Sequence, residues 1–216
     1  MDMAIIDYLA KWGHYLAGIT WIGLLYYFNF VQTEYFKEAD PAARTDAFVG
    51  LVPRALWWFR WGAMFTFLTG LIMLGIRGAG LTVDITVGAV LGTLMFLNVW
   101  LIIWPNQKII IASNQQVKDG GEALAEAGAA APKAGLASRT NTLFSIPMLY
   151  FMGSSAHLPN GSIGGESTAL IVSLVVIAAL ELNAIFGKLG PIASVKGVIT
   201  SGFGLTVVLW GLLQVL

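Results

Sequence analysis

From Trp12 to Phe28 the chain reads Trp-Gly-His-Tyr-Leu-Ala-Gly-Ile-Thr-Trp-Ile-Gly-Leu-Leu-Tyr-Tyr-Phe, without a carboxylate, lysine or arginine. A run of that length and apolarity enters a bilayer, which puts His14 within or at the edge of the hydrocarbon. An ionisable side chain there is costly and is by default a functional-site hypothesis. On a helix, Gly18 lies one turn beyond His14 and Trp21 about two turns beyond, on the same face. An imidazole, a residue with no side chain and a flat aromatic suit a flat cofactor such as haem lying along the helix. A histidine bonded to a backbone carbonyl between packed helices fits the same spacing.

Composition narrows the class. The chain is 57% hydrophobic and 11% charged, with a mean hydropathy of +0.76, against about 25% charged residues in soluble domains. The expectation is an all-α integral membrane helical bundle. A formal net charge of zero gives no reason to expect nucleic acid. The absence of cysteine removes disulfides, iron–sulfur clusters, thiolate zinc sites and covalently attached c-type haem. Any site using imidazoles must draw on His14 and His157, the chain's two histidines. Met1-Asp2-Met3 lacks the positive n-region of a signal peptide, so the first apolar run is expected to be retained as a helix.

About six spans are expected, near residues 5–36, 54–76, 85–104, 138–156, 167–186 and 195–216, with residues 118–133 as a mobile loop rich in Gly, Ala and Glu. Pro53 suits a helix first turn, and Pro105 is expected to interrupt the third helix at Trp104. Gly62, Thr66 and Gly70 form a small-residue stripe that lets another helix approach closely. Lys37, Arg44, Arg54, Lys108, Lys118, Lys133, Arg139, Lys188 and Lys196 fall on one side of this topology, Lys11 and Arg77 on the other. The positive-inside rule then places both termini outside. His14 and His157 fall on that same outer side and can share a site, as a bis-imidazole haem b pair. His157 also suits a helix cap or a propionate contact.

Arg60, about two turns inside the second helix, needs a counter-charge, a carbonyl or a cofactor carboxylate, or else snorkels to water. Asn98, Glu181 and Asn183 must find hydrogen bonds inside the bundle. Trp104, Asn106, Gln107 and Lys108, with Arg139 and Asn141, gather two cations and several amides at the inner surface. That inventory suits an anion or a planar heterocycle, and equally helix capping and lipid headgroups.

The stretch His14 to Gly23, together with Arg60-Trp61-Gly62-Ala63, Asn98-Val99-Trp100, Trp104-Pro105-Asn106-Gln107-Lys108, Ser138-Arg139-Thr140-Asn141 and Ser145-Ile146-Pro147-Met148, resembles the membrane domain of the PuuD urate hydroxylase family, also called the urate oxidase N-terminal domain. The His-Trp-Gly pattern of the first helix is more loosely similar to the CopD copper-resistance proteins and the HemJ protoporphyrinogen oxidases. The resemblance implies a bacterial inner-membrane protein working in oxidation with a c-type cytochrome. Family members carry that cytochrome as a C-terminal domain. Here no Cys-x-x-Cys-His is present, so the cytochrome is expected as a separate polypeptide. The leading expectation is a membrane haem-b redox protein with His14, Gly18, Trp21, Arg60 and His157 around the cofactor. The alternatives are a cofactor-free structural subunit of a larger oxidase complex and, on Glu181 and Pro147, a transporter.

Overall fold

The computed structural model describes residues 2–161 and 168–216, and these are all-α. Helix α1 (Met3–Tyr26), a π-helical segment (Tyr27–Gln32) and α2 (Thr33–Glu38) form one continuous rod. After α3 (Pro41–Gly50) and α4 (Val52–Arg77) comes a second continuous rod: α5 (Val83–Leu97), a π-helical segment (Asn98–Ile103) and α6 (Trp104–Lys118). Helices α7 (Ala127–His157), α8 (Thr168–Phe186) and α9 (Val195–Val215) complete the bundle. The expected start of α8, Ser167, lies outside the described residues.

Local chemistry sets the helix ends. Asp2, Asp40, Thr82 and Ser194 each accept a backbone N–H of the turn they precede, satisfying donors that a helix start leaves free. Pro41 follows Asp40 in the first turn of α3, where its missing N–H costs nothing. Gly78 ends α4 at φ +52°, a conformation open to glycine and strained for L side chains.

Among the described residues, four stretches are long and apolar enough to cross a membrane: Val52–Gly80, Val83–Lys118, Thr168–Phe186 and Val195–Val215. Their outer faces carry large exposed apolar side chains such as Phe65, Leu101, Ile171, Val175 and Phe203, a surface that water does not tolerate and lipid does. Helices α1 and α7 match them in length but are more polar. At 31 residues and 1.5 Å rise per residue, α7 is about 46 Å long. It touches α1, α5, α6, α8 and α9, and its polar face is turned inward. Asn141 Nδ2 donates to Met95 O at 2.9 Å, just before the second π-helical segment, and Asn98 Nδ2 donates to Asn141 Oδ1 at 3.0 Å and Glu181 Oε2 at 3.1 Å. Asn29, in the first π-helical segment, donates to Ser138 Oγ at 2.8 Å. Satisfied inside the bundle, these groups do not meet lipid.

The small-residue stripe on α4 packs where the spacing placed it, against α1. A Cβ at Gly62 would lie 3.2 Å from Trp21 N and 3.3 Å from Ala17 O, and one at Gly70 would lie 3.3 Å from His14 Cε1. Two expectations are corrected. Pro105 does not break its helix, because the rod runs unbroken from Val83 to Lys118. The π-helical turns just before it widen the backbone where Pro105 has no N–H to give. The segment 118–133 is not a loop throughout, since α7 starts at Ala127. Its first turns bury Ala130 and Ala134 against Ile110, so alanines expected in a mobile loop are a packing face.

Candidate functional site

Between the α1–α4 hairpin and the α5–α7 pair lies a cavity of about 760 Å³. Helix α1 contributes His14, Gly18 and Trp21, the three residues whose helical spacing singled them out, and Tyr26 beyond them. Helix α4 contributes Thr66, Gly70 and Arg77, and α7 the thioethers of Met148 and Met152. A Cβ at Gly18 would meet nothing within 4 Å, so this turn of α1 presents bare backbone to the space.

The ring of His14 is anchored to α4. Its Nδ1 lies 3.2 Å from Thr69 Oγ1, a hydroxyl that also lies 2.6 Å from Phe65 O and 3.1 Å from Thr66 O. With the threonine hydrogen on Phe65 O, the imidazole donates from Nδ1 and carries its lone pair on Nε2. A histidine with Nδ1–H anchored to an oxygen and Nε2 unengaged is the arrangement that metal-ligating histidines use. The same count applies to Tyr26. Ser145 gives its hydrogen to Thr142 O at 2.8 Å, so the Tyr26 hydroxyl, 2.9 Å away, donates to Ser145 Oγ. Trp21 is buried, and its Nε1–H has no partner among the described residues.

Cations mark one end of this cavity. Lys11, paired with Asp7, and Arg77, 3.5 Å from Ser155 Oγ, both line it.

Two expected members are elsewhere. His157 is exposed at the end of α7, and although Ser155 and Ala156 line the cavity, His157 does not. Successive helical residues turn by about 100°, which carries His157 off the face its neighbours share. The two histidines lie at the same end of the bundle without meeting. Arg60 sits ten residues before Gly70 on α4, about 15 Å along the axis. Its guanidinium carbon lies 3.8 Å from the Trp104 ring centroid and 6.0 Å from that of Trp100. It belongs to the other end of the bundle, outside the cavity lining.

Of the polar set expected at that other end, Asn141 is committed to the internal network and Asn106 donates to Ile102 O of its own helix at 2.7 Å. Trp104 lies under Arg60 with Lys108 Nζ 5.7 Å from its ring centroid. Arg139, 5% exposed, reaches Glu34 at 3.4 Å. Residues missed by sequence reasoning include Thr69, which anchors His14, and Asn29, an amide in an aromatic run whose polarity was the available signal. Asp84 was also missed. It is fully buried and accepts from Ser154 Oγ at 2.7 Å, Asn160 N at 2.7 Å and Asn160 Nδ2 at 2.8 Å, tying α5 to the turn after α7.

Among known proteins, the family model described as urate oxidase N-terminal matches residues 79–207, more than half of the chain. No curated protein and no solved structure matches. The matched segment takes in Asn98, Trp104 to Lys108, Arg139 to Asn141 and all of α7; the α1–α4 hairpin with His14 and Arg60 precedes it. The polar core around α7 and its apolar surround are thus the part of the fold that the match covers, and the chain belongs to the urate oxidase N-terminal family.

Proposed function

We propose that the protein is a redox domain of the bacterial inner membrane that holds one haem b in the α1–α4–α5–α7 cavity. In this reading it serves oxidation of a purine such as urate and passes electrons to a separate periplasmic c-type cytochrome. The observation that carries this reading is His14 at the cavity wall, with Nδ1 anchored 3.2 Å from Thr69 Oγ1 on α4.

The residues present fit the group. A cavity of about 760 Å³ with mostly apolar lining is of the size ligand sites of roughly 300–1,000 Å³ have. Gly18 leaves open space one turn from His14, Gly70 lets the imidazole pack against α4, and Lys11 and Arg77 supply cations suited to carboxylates. His14 would hold the group, and Trp21, whose Nε1–H has no partner among the described residues, would form a flat wall beside it. Bound there, haem b would supply one-electron chemistry tuned by its axial ligand and the low dielectric. Around it, α1 and α4 exclude water, and Tyr26 holds a proton at its hydroxyl toward Ser145. The long apolar helices support a bilayer setting, and in this reading the lysine and arginine asymmetry turns the His14 end toward the periplasm, where a cytochrome would dock.

A reduced-minus-oxidised absorption spectrum of the detergent-purified protein, with a pyridine haemochrome for stoichiometry, tests the reading. A b-type spectrum near one haem per chain supports it. Folded protein expressed with ample haem but devoid of a Soret band would leave the second reading, a cofactor-free subunit of a larger oxidase complex, in its place.

A further inference from the structure

The Thr168–Phe186 span carries a single ionisable residue, Glu181, 9% exposed and turned into the bundle. It stands five residues before Phe186, about 7.5 Å along the axis from the end of α8 that lies away from His14. Leu182, Ile185 and Phe186 beside it are exposed apolar side chains, so this stretch of α8 faces hydrocarbon. Charge is costly there, and an ionisable group kept there is by default a functional one.

Among the described residues no cation answers it. Helices α5, α7 and α9 pack on α8. Of their charged and titratable groups, Asp84 lies at the far end of α5, Lys133, Arg139, Tyr150 and His157 lie on α7, and Lys196 lies in the first turn of α9. None of these forms an ion pair with Glu181, and neither does Lys188 just beyond the end of α8. Arg139 is committed to Glu34. What answers Glu181 is an amide. Asn98 Nδ2 donates to Glu181 Oε2 at 3.1 Å and to Asn141 Oδ1 at 3.0 Å, and Asn141 Nδ2 donates to Met95 O at 2.9 Å. Asn98 opens the π-helical segment Asn98–Ile103, a distortion found frequently at functional sites. A neutral donor offsets only part of the cost of burying a negative charge, and a carboxylic acid carries none. With Asn98 on Oε2, Oε1 is left to hold the proton. A glutamine would satisfy the same amide, so the hydrogen bond alone does not call for an acid.

We propose that Glu181 is a proton-binding site inside the membrane, neutral at rest and exchanging its proton with water at the end of the bundle away from His14. The ligand is the proton itself, and the step is dissociation of one O–H bond to water and its reversal. The amide network leads from this carboxyl toward the His14 cavity: Met95 is three residues from Gly92, and Asn141 seven from Met148, both on the cavity lining. A proton taken up at Glu181 is therefore placed to balance negative charge arriving in the cavity. The site requires no haem and stands apart from the redox reading.

Infrared difference spectroscopy of the full-length protein in phosphatidylcholine vesicles tests it, wild type against Glu181→Gln at neutral pH. The expected result is a carboxylic-acid C=O band in wild type that the variant lacks. It should shift to lower frequency in heavy water and give way to carboxylate bands as pH rises. Dicyclohexylcarbodiimide reads the site without a variant. It partitions into lipid and adds the O–H of a protonated acid across one of its N=C bonds, so the mass of the α8 peptide should rise by one reagent. Labelling should fall about 10-fold for each pH unit above the infrared transition, in step with the protonated fraction. A carboxylate signal from Glu181 at neutral pH, or an acid band in folded protein that ignores heavy water, overturns the site. So does labelling confined to exposed carboxylates such as Glu34 and Asp46. Neither readout involves haem, so failure of this site and failure of the redox reading are distinguishable.

Discussion

Thr69 accepts a hydrogen bond from His14 across the α1–α4 interface, with Nδ1 and Oγ1 3.2 Å apart and the threonine hydrogen already committed to its own helix. The contact fixes the ring's orientation and favours the tautomer protonated at Nδ1. Outer-sphere partners of this kind contribute about 10–100-fold to the affinity of the metal their histidine binds. Thr69→Val keeps the shape and removes the acceptor. It should weaken haem retention by that order while the circular dichroism spectrum stays unchanged; full retention during haem transfer to apomyoglobin would show that the contact has no such role.

At Gly62, α4 lies directly against the α1 backbone. A methyl group there meets backbone on two sides, Trp21 N at 3.2 Å and Ala17 O at 3.3 Å, and backbone cannot rotate away. Gly62→Ala should destabilise the protein by about 1–3 kcal/mol, the usual cost of overpacking. A lowered thermal midpoint in detergent would register it. Gly18→Ala, which meets open space, should leave that midpoint unchanged and so serves as the comparison.

Asp84 answers three donors from a fully buried position. Asp84→Ala leaves both Asn160 donors without an acceptor and Ser154 with only Phe151 O at 3.3 Å, and the expected loss is at least about 2 kcal/mol. Protease sensitivity at the turn after α7 should rise with it. Unchanged cleavage kinetics would mean that solvent replaces the carboxylate without penalty.

Asp46, on α3 outside the spans, is bonded to Lys118 at 2.7 Å, a pair that ties α3 to the end of α6. That hydrogen bond, and then the ammonium charge, hold its carboxyl below the usual range. The ionised form is therefore favoured by folding. Its contribution is present above the ordinary carboxylate pKa of about 4 and is lost as pH falls through the lowered folded value. Both groups are exposed, so the effect is small and screened by salt. Thermal midpoints measured from neutral to acid pH at low ionic strength should fall less steeply for Asp46→Asn than for wild type, and identical slopes would remove the pair from the account.

Much of this architecture is legible in the chain. The apolar runs mark the membrane-crossing helices, because a bilayer imposes one length and one polarity on them. The stripe Gly62-Thr66-Gly70 marks a helix contact, and the spacing of His14, Gly18 and Trp21 puts them on one wall. Periodicity is silent where the backbone departs from the α-helix. The π-helical segments at Tyr27–Gln32 and Asn98–Ile103 carry no compositional signature, and one of them lets Pro105 continue a helix. Sequence could place His157 at the right end of the bundle but not on the right face, since one residue of helix turns a side chain by about 100°. Arg60 was legible as a cation within an apolar helix that needs a partner; that partner, an indole on another helix, follows from packing. The alanine-rich start of α7 looked like a loop because its burial against Ile110 is a tertiary fact.

The central claim is that His14 and not His157 holds a haem in the α1–α4–α5–α7 cavity. The most direct measurement compares pyridine haemochrome content and the reduced-minus-oxidised spectrum in wild type, His14→Ala and His157→Ala, each verified as folded. About one haem b per chain is expected in wild type and in His157→Ala, with loss in His14→Ala. Equal haem in all three, or loss confined to His157→Ala, would contradict it.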